Sequence, residues 1–310
     1  MTRPGGSCIW GLGIGSMTKK SPTVGMKVEF PFQISVCCWV DLLGYGSAIR
    51  EANYNPLDPL ARKAVARIRA FHQIVADHSA RTFPTLVMND GACAYFDLSY
   101  RTRWPTFDFI QRSKALFDAI QRQEIQDGNP GARMVISVGF RLRGRASQRS
   151  ARRGEFVKSL MQRLQDGNIS PKEAITTASK FRTPFDIVPQ LQANFAFTKA
   201  YIAEQSGTAG GLPGPACYVD ELLFNLHQTS NSDIALGAQT DWESKAYGLA
   251  ATFHNLTFIR RAKQVEIVDG QVRNHGPEGF RDALEIAELL SGNPQVLEAL
   301  RKARKEKASI

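Results

Sequence analysis

Two aspartates stand where carboxylates are costly. Asp41 closes the almost uniformly apolar run that begins at Phe32, and Asp90 sits in Asn89-Asp90-Gly91 between two short apolar segments. A carboxylate at the end of a buried strand loses hydration unless it is paired or binds a cation, and two such groups brought together repel until a divalent ion neutralises them. Two oxygen donors of this kind point to Mg²⁺ or Mn²⁺. Directly after Asp41, the phrase Leu42-Leu43-Gly44-Tyr45-Gly46-Ser47 puts small residues where a strand gives way to a helix, so that backbone N–H groups can face an anion. A metal ligand beside a phosphate cradle is what this pattern predicts. Taken singly, the same residues have plainer uses: Asp41 as a turn cap, Asp90 as a hairpin residue, the glycines for chain reversal.

The elements that must position these residues follow from periodicity. Residues 32 to 43 read as a strand buried on both faces. Leu60, Val65, Ile68, Phe71, Ile74 and Val75 recur at helical spacing and predict a helix over 59–79. Thr85 to Met88 and Ala92 to Leu98 flank the Asp-Gly pair as a tight hairpin, because Gly tolerates the positive φ that such turns require. A second helix over 107–122 stops at Asp127-Gly128-Asn129-Pro130, and Met134 to Phe140 is a fourth strand. The order β, α, β, β, α, β is the ferredoxin-like arrangement, an α+β fold with an antiparallel sheet, and it brings Asp41 near Asp90. Residues 144–183 then read as a helical insertion, with helices over 155–165 and after the capping box at Ser170 to Glu173. A helix over 190–204, a Gly/Pro loop, a short strand at Ala216 to Val219 and a short helix from Asp220 to Leu226 come next. The stretch from Trp242 to Val272 is expected to be β-rich, with a hairpin at Val268 to Gln271, and helices are expected over 277–291 and 294–307. The domain reading is therefore a loose leader over 1–30, a catalytic domain over 31–275 and a C-terminal helical extension over 276–310, with Met26 as an alternative start.

Composition excludes several classes. At 310 residues, 43% hydrophobic and 22% charged, the chain can bury a core and is not disordered. Its apolar runs fall far short of the roughly 18 to 20 residues of a membrane span, so no membrane partner is expected. Five cysteines show neither CxxC pairs nor clustered histidines, which argues against disulfide frameworks and zinc and fits a reducing cytoplasm. The net charge of +10 favours polyanions, with arginines concentrated between Arg141 and Arg153. No aromatic residue lies between Phe140 and Phe156, so the stacking platforms of single-strand binders are missing there, which weakens a nucleic-acid reading and leaves a nucleoside triphosphate.

With these motifs in hand, the chain resembles the class III nucleotide cyclase catalytic domain. VDLLGYG at 40–46 is similar to that family's first metal motif, and MNDGACAYF at 88–96 to its second. ARMVISVGF at 132–140 is similar to its fourth core strand, and the resemblance extends over about 33–225. It implies two divalent ions held by Asp41, Asp90 and the Leu42 carbonyl, triphosphate held by Gly44, Tyr45, Gly46 and Ser47, and a head-to-tail homodimer with shared sites. Asn194 stands where the family places its transition-state Asn. The family's Arg lies one helical turn on; here that position is Thr198, and either Lys199 or an arginine such as Arg50 or one from the 141–153 stretch supplies the charge.

Purine-acting members carry a Lys at the position of Leu86. Its replacement, together with Tyr45 in place of the commoner Phe, resembles the pyrimidine cyclases of Pycsar antiphage systems. That resemblance implies conversion of UTP, or CTP, to the 3′,5′-cyclic nucleotide and pyrophosphate, as a messenger read by a separately encoded effector. The rival reading is a catalytically inactive cyclase-like module that senses a nucleotide or nucleic acid.

Overall fold

The computed structural model describes residues 32–142, 148–180, 188–229, 233–260, 267–268, 271–272, 277–291 and 298. The leader, the start of the basic loop and almost all of the helix expected at 294–307 fall outside the described residues. The chain runs β1 (Phe32–Leu42), α1 (Tyr45–Glu51), α2 (Pro59–His78), β2 (Thr85–Met88), β3 (Gly91–Asp97), α3 (Trp104–Gln126) and β4 (Ala132–Leu142). It continues with α4 (Gln148–Gln165), α5 (Pro171–Lys180), α6 (Phe195–Ser206), β5 (Ala216–Asp220), β6 (Ile234–Ser244), β7 (Leu249–Ile259), β8 (Ile267–Val268), β9 (Gln271–Val272) and α7 (Ala283–Leu290).

The seven strands of the main sheet lie in the order β2-β3-β1-β4-β5-β7-β6. The first four, linked by α2 and α3 and paired antiparallel, form the ferredoxin-like α+β core. β5 then joins β4 in parallel, the crossover carrying α4, α5 and α6, and the β6–β7 hairpin closes the sheet. β1 is an inner strand, paired on both edges, and its residues alternate between faces. Cys38 lies beside Ser113 of α3, whereas Trp39 stacks edge-on against Phe197 and Tyr201 of α6. Helices therefore cover both faces at β1, more than the four-strand pattern alone predicts.

Four local readings change. The buried stripe of α2 is Ala61, Ala64, Arg67, Phe71 and Val75, while Leu60 and Val65 are exposed. A cation thus occupies a core position, and small residues let α2 approach closely. In the β2–β3 turn the positive φ falls on Asn89, at 57°, and not on Gly91. Gly91 is glycine because β1 lies against it: a Cβ there would stand 2.5 Å from Cζ2 of Trp39 and 3.0 Å from Oδ1 of Asp41. α4 begins seven residues before the expected Glu155, at Gln148, and Ser170 and Glu173 form the expected reciprocal cap of α5. The helix expected over 277–291 is shorter, Ala283–Leu290, opened by a capping box from Asp282 to Glu285.

Candidate active site

The register of β1 with its neighbours brings the aspartates together. Asp41 sits opposite Gly91 of β3 and opposite Arg133 of β4. The Leu42 N–H donates to the Asp90 carbonyl at 3.1 Å, so the end of β1 is tied to the hairpin that carries the second carboxylate. Asp90 also accepts a 2.8 Å bond from the Asn89 side-chain amide. Asp41 is half-buried, and among the described residues its carboxylate has no hydrogen-bond or ion-pair partner. Burial first, then the charges of Glu204 and Asp90, push its pKa up to about 7 against the pull of Arg133 and Arg67.

Glu204 was not singled out by its sequence context. It is buried at the C-terminal end of α6, where helix carbonyls add partial negative charge. Arg133 donates to it through Nε at 3.0 Å and Nη2 at 2.7 Å, and also to its backbone carbonyl at 2.9 Å. Burial raises the Glu204 pKa, with Arg133 opposing. The indole of Trp39 approaches this carboxylate and helps to hold it ionised, yet its buried N–H does not reach hydrogen-bond geometry with any partner. One arginine is thus committed to Glu204 while Asp41 and Asp90 face each other beside it.

The turn after β1 continues the site. Gly44 takes a left-handed conformation at φ 72° and caps α1 through its backbone, and Tyr45 follows, half-buried. The phenol pKa is raised by burial and by the charge of Asp90, which places Tyr45 within the field of the aspartates. Gly46, Ser47 and Arg50 are exposed, Arg50 in the last turn of the short α1. Leu86, on β2 opposite Cys93, is half-buried and offers no side-chain polar atom.

Asn194 and Lys199 are not brought to this end. Asn194 is 2% exposed and caps α6, accepting from the Phe197 N–H at 3.0 Å. Its amide donates to the Gln190 carbonyl at 2.8 Å and to Ser35 Oγ at 3.1 Å, at the opposite end of β1 from Asp41. Six residue steps along the strand separate Ser35 from Asp41, roughly 20 Å at about 3.3 to 3.4 Å each. Lys199 is buried and its ammonium donates to Asp220 Oδ2 at 2.5 Å, Asp220 being fully buried. Each of these side chains is already partnered within the subunit.

No family model and no curated protein matches the chain. Among the solved structures that it is similar to are two cyclases. One is the guanylyl cyclase Cya2, at 12% identity and a TM-score of 0.46, over 75% of this chain and 96% of that one. The other is the adenylyl cyclase CyaB from P. aeruginosa, at 9% identity and a TM-score of 0.43, over 74% and 96%. Both scores lie under 0.5, so the functional reading rests on the chain's own residues.

As a metal site, the donor set is two carboxylates and backbone carbonyls. Among the described residues no group of three or more His, Cys, Asp or Glu side chains is arranged to hold an ion. Oxygen-only donors with few protein ligands suit Mg²⁺ or Mn²⁺, which keep waters and bind phosphate oxygens alongside one or two carboxylates. An unpartnered Asp41 in a negative field fits such an ion. A cavity of about 530 Å³ on β6 and β7, lined by Asp220, Glu221, Asp241, Trp242 and Thr252 among others, shares none of these residues. Arg141 is held by Asp97 at 2.9 Å, which removes it as a source of charge for the site. Sequence reading missed Arg67, Arg133 and Glu204, although each is a charge on an otherwise apolar stripe or strand.

Proposed function

We propose that the chain is a nucleotide cyclase that takes a pyrimidine triphosphate, UTP before CTP, to the 3′,5′-cyclic nucleotide and pyrophosphate. The observation that carries this reading is the unpartnered Asp41, set beside Asp90 by the β1–β3 register and followed at once by the Gly44 turn. In the reaction the ribose 3′-oxygen bonds to the α-phosphorus, the bond from that phosphorus to the bridging oxygen breaks, and the hydroxyl proton leaves. Asp41 and Asp90 supply carboxylate oxygens for two Mg²⁺ or Mn²⁺ ions, with the Leu42 carbonyl as a further donor. When bound, the metal supplies Lewis acidity at the hydroxyl and offsets triphosphate charge. Backbone N–H groups of Gly44 to Ser47 hold the β- and γ-phosphates, and Arg50, exposed at the end of α1, faces the remaining charge.

Base choice rests on Leu86 and Tyr45. Leu86 cannot bond a purine edge, while the Tyr45 hydroxyl can donate to or accept from a pyrimidine. Loss of that bond in Tyr45→Phe should weaken discrimination more than total turnover, because a mismatched base leaves polar groups unpaired. Four described cysteines, Cys37, Cys38, Cys93 and Cys217, are free and buried, which suits a reducing cytoplasm. Among the described residues no helix is long and apolar enough to cross a membrane. The product is read as a messenger in antiphage defence, acting on a separately encoded effector.

A second reading is favoured by one observation: Asn194 and Lys199 are spent on Ser35, Gln190 and Asp220. An inactive cyclase-like module that binds a nucleotide needs only the Asp41 end. Incubation with each of the four nucleoside triphosphates and Mn²⁺, followed by mass spectrometry, separates the readings. Cyclic UMP or cyclic CMP is expected. Cyclic AMP or GMP formed as fast points to a purine cyclase, and nucleotide binding without any cyclic product points to the module. If Asn194 acts across a head-to-tail homodimer, a 1:1 mixture of Asp41→Ala and folded Asn194→Ala proteins recovers activity; confirmed subunit exchange without recovery counts against shared sites.

A further inference from the structure

Arg67 occupies a core position of α2, and its guanidinium is 8% exposed. Nothing in the strand and turn motifs around the aspartates accounts for a cation there. Its Nε donates to both oxygens of Glu124 on α3, at 3.0 and 3.1 Å, and its Nη2 also contacts Glu124 Oε2. Glu124 is itself 3% exposed, and the Asn129 side-chain amide donates to its Oε1 at 3.4 Å. This bidentate pair holds the planar fork in one orientation. The same Nη2 then reaches the Leu43 carbonyl at 2.9 Å, and lies 3.4 Å from that of Gly131.

Leu43 is the first residue beyond β1. Its own N–H donates to Gly131 at 2.9 Å, so its carbonyl is the last anchored group before the chain turns left-handed at Gly44. No side chain caps α1, whose seven residues are short for a helix held by its own hydrogen bonds. The orientation of the N–H groups from Gly44 to Ser47 is therefore set from below, by whatever fixes Leu43.

We propose that Arg67 is the positioning residue of the 43–47 turn, holding it in the shape that receives a polyphosphate. This rests on the cyclase-site reading above for the identity of the ligand, and on geometry alone for the clamp. A lysine at 67 keeps the charge and one bond to Glu124 but lacks the fork that spans Glu124 and Leu43 together. In a double variant, Arg67→Met with Glu124→Leu, both buried charges go together, so no lone ion is left and the fold is retained.

Two measurements test it: amide hydrogen exchange at Leu43 and Ala48, whose N–H groups are hydrogen-bonded at the two ends of the turn, and affinity for inorganic tripolyphosphate by calorimetry, each on the full chain with Mn²⁺ present. Arg67→Lys and the double variant should exchange faster at these two amides by about tenfold, with β4 amides unchanged. Tripolyphosphate should bind about tenfold more weakly, and KM for the nucleotide should rise more than kcat falls. If the wild type binds no tripolyphosphate but exchange at Leu43 and Ala48 still rises, the clamp stands and the phosphate reading fails. If either folded variant keeps wild-type exchange at both amides, Arg67 does not position the turn and the proposal is overturned.

Discussion

At the Ser35 end of β1, Asn194 bridges strand and helix through three hydrogen bonds of 2.8 to 3.1 Å, and Lys199 meets Asp220 at 2.5 Å. At the Asp41 end the same strand and the same helix meet again, but Arg133 is committed to Glu204 and the Asp41 carboxylate keeps no partner among the described residues. Both ends carry buried charge; only one balances it. A balanced buried pair rigidifies and specifies a packing, whereas an unbalanced carboxylate beside a second one costs stability unless something outside the chain completes it. The contrast teaches where to look for chemistry: at the strand end whose electrostatics the fold leaves open.

The largest effect is expected at Lys199. Lys199→Met strands the fully buried Asp220 and should cost about 3 to 5 kcal/mol in urea unfolding, most of it restored by adding Asp220→Leu. A loss below about 1 kcal/mol would mean that the pair does not hold α6 to β5. At the open end, Asp41→Asn should cost nothing or stabilise slightly, because it removes a repelled carboxylate. Gly91→Ala comes next. Its new Cβ meets Trp39 at 2.5 Å, and overpacking of this kind costs about 1 to 3 kcal/mol, read as a lower melting temperature. Asn194→Ala should lose about 1 to 2 kcal/mol with the cap, with nucleotide binding at the other end of β1 unchanged. Weakened nucleotide binding in a fully folded Asn194→Ala protein would instead connect the two ends functionally.

What the sequence disclosed depended on whether the signal was local. The strand from Phe32, the Asn-Asp-Gly hairpin and the two long helices follow from period and turn chemistry, and with them the ferredoxin-like core and the approach of Asp41 to Asp90. Glu204 and Arg133 were not legible, since a charge on an apolar stripe says only that a partner exists, and that partner lies 71 residues away. Arg67 was hidden for a different reason: its helix was read from its large apolar residues, while the buried stripe it belongs to runs through Ala61 and Ala64. The role of Gly91 was misplaced because a hairpin glycine suggests backbone freedom, and only the register shows Trp39 filling the space of its missing side chain. Asn194 and Lys199 were marked by motif position, which carries no information about whether a side chain is already engaged.

If a divalent cation completes the Asp41 end of β1, an Mn²⁺ titration followed by electron paramagnetic resonance shows it, on the wild type, Asp41→Asn and Asn194→Ala. Wild type and Asn194→Ala should bind equally, and Asp41→Asn should bind about tenfold more weakly or worse, a loss of about 1.4 kcal/mol or more. Equal Mn²⁺ affinity in Asp41→Asn and wild type would contradict the account.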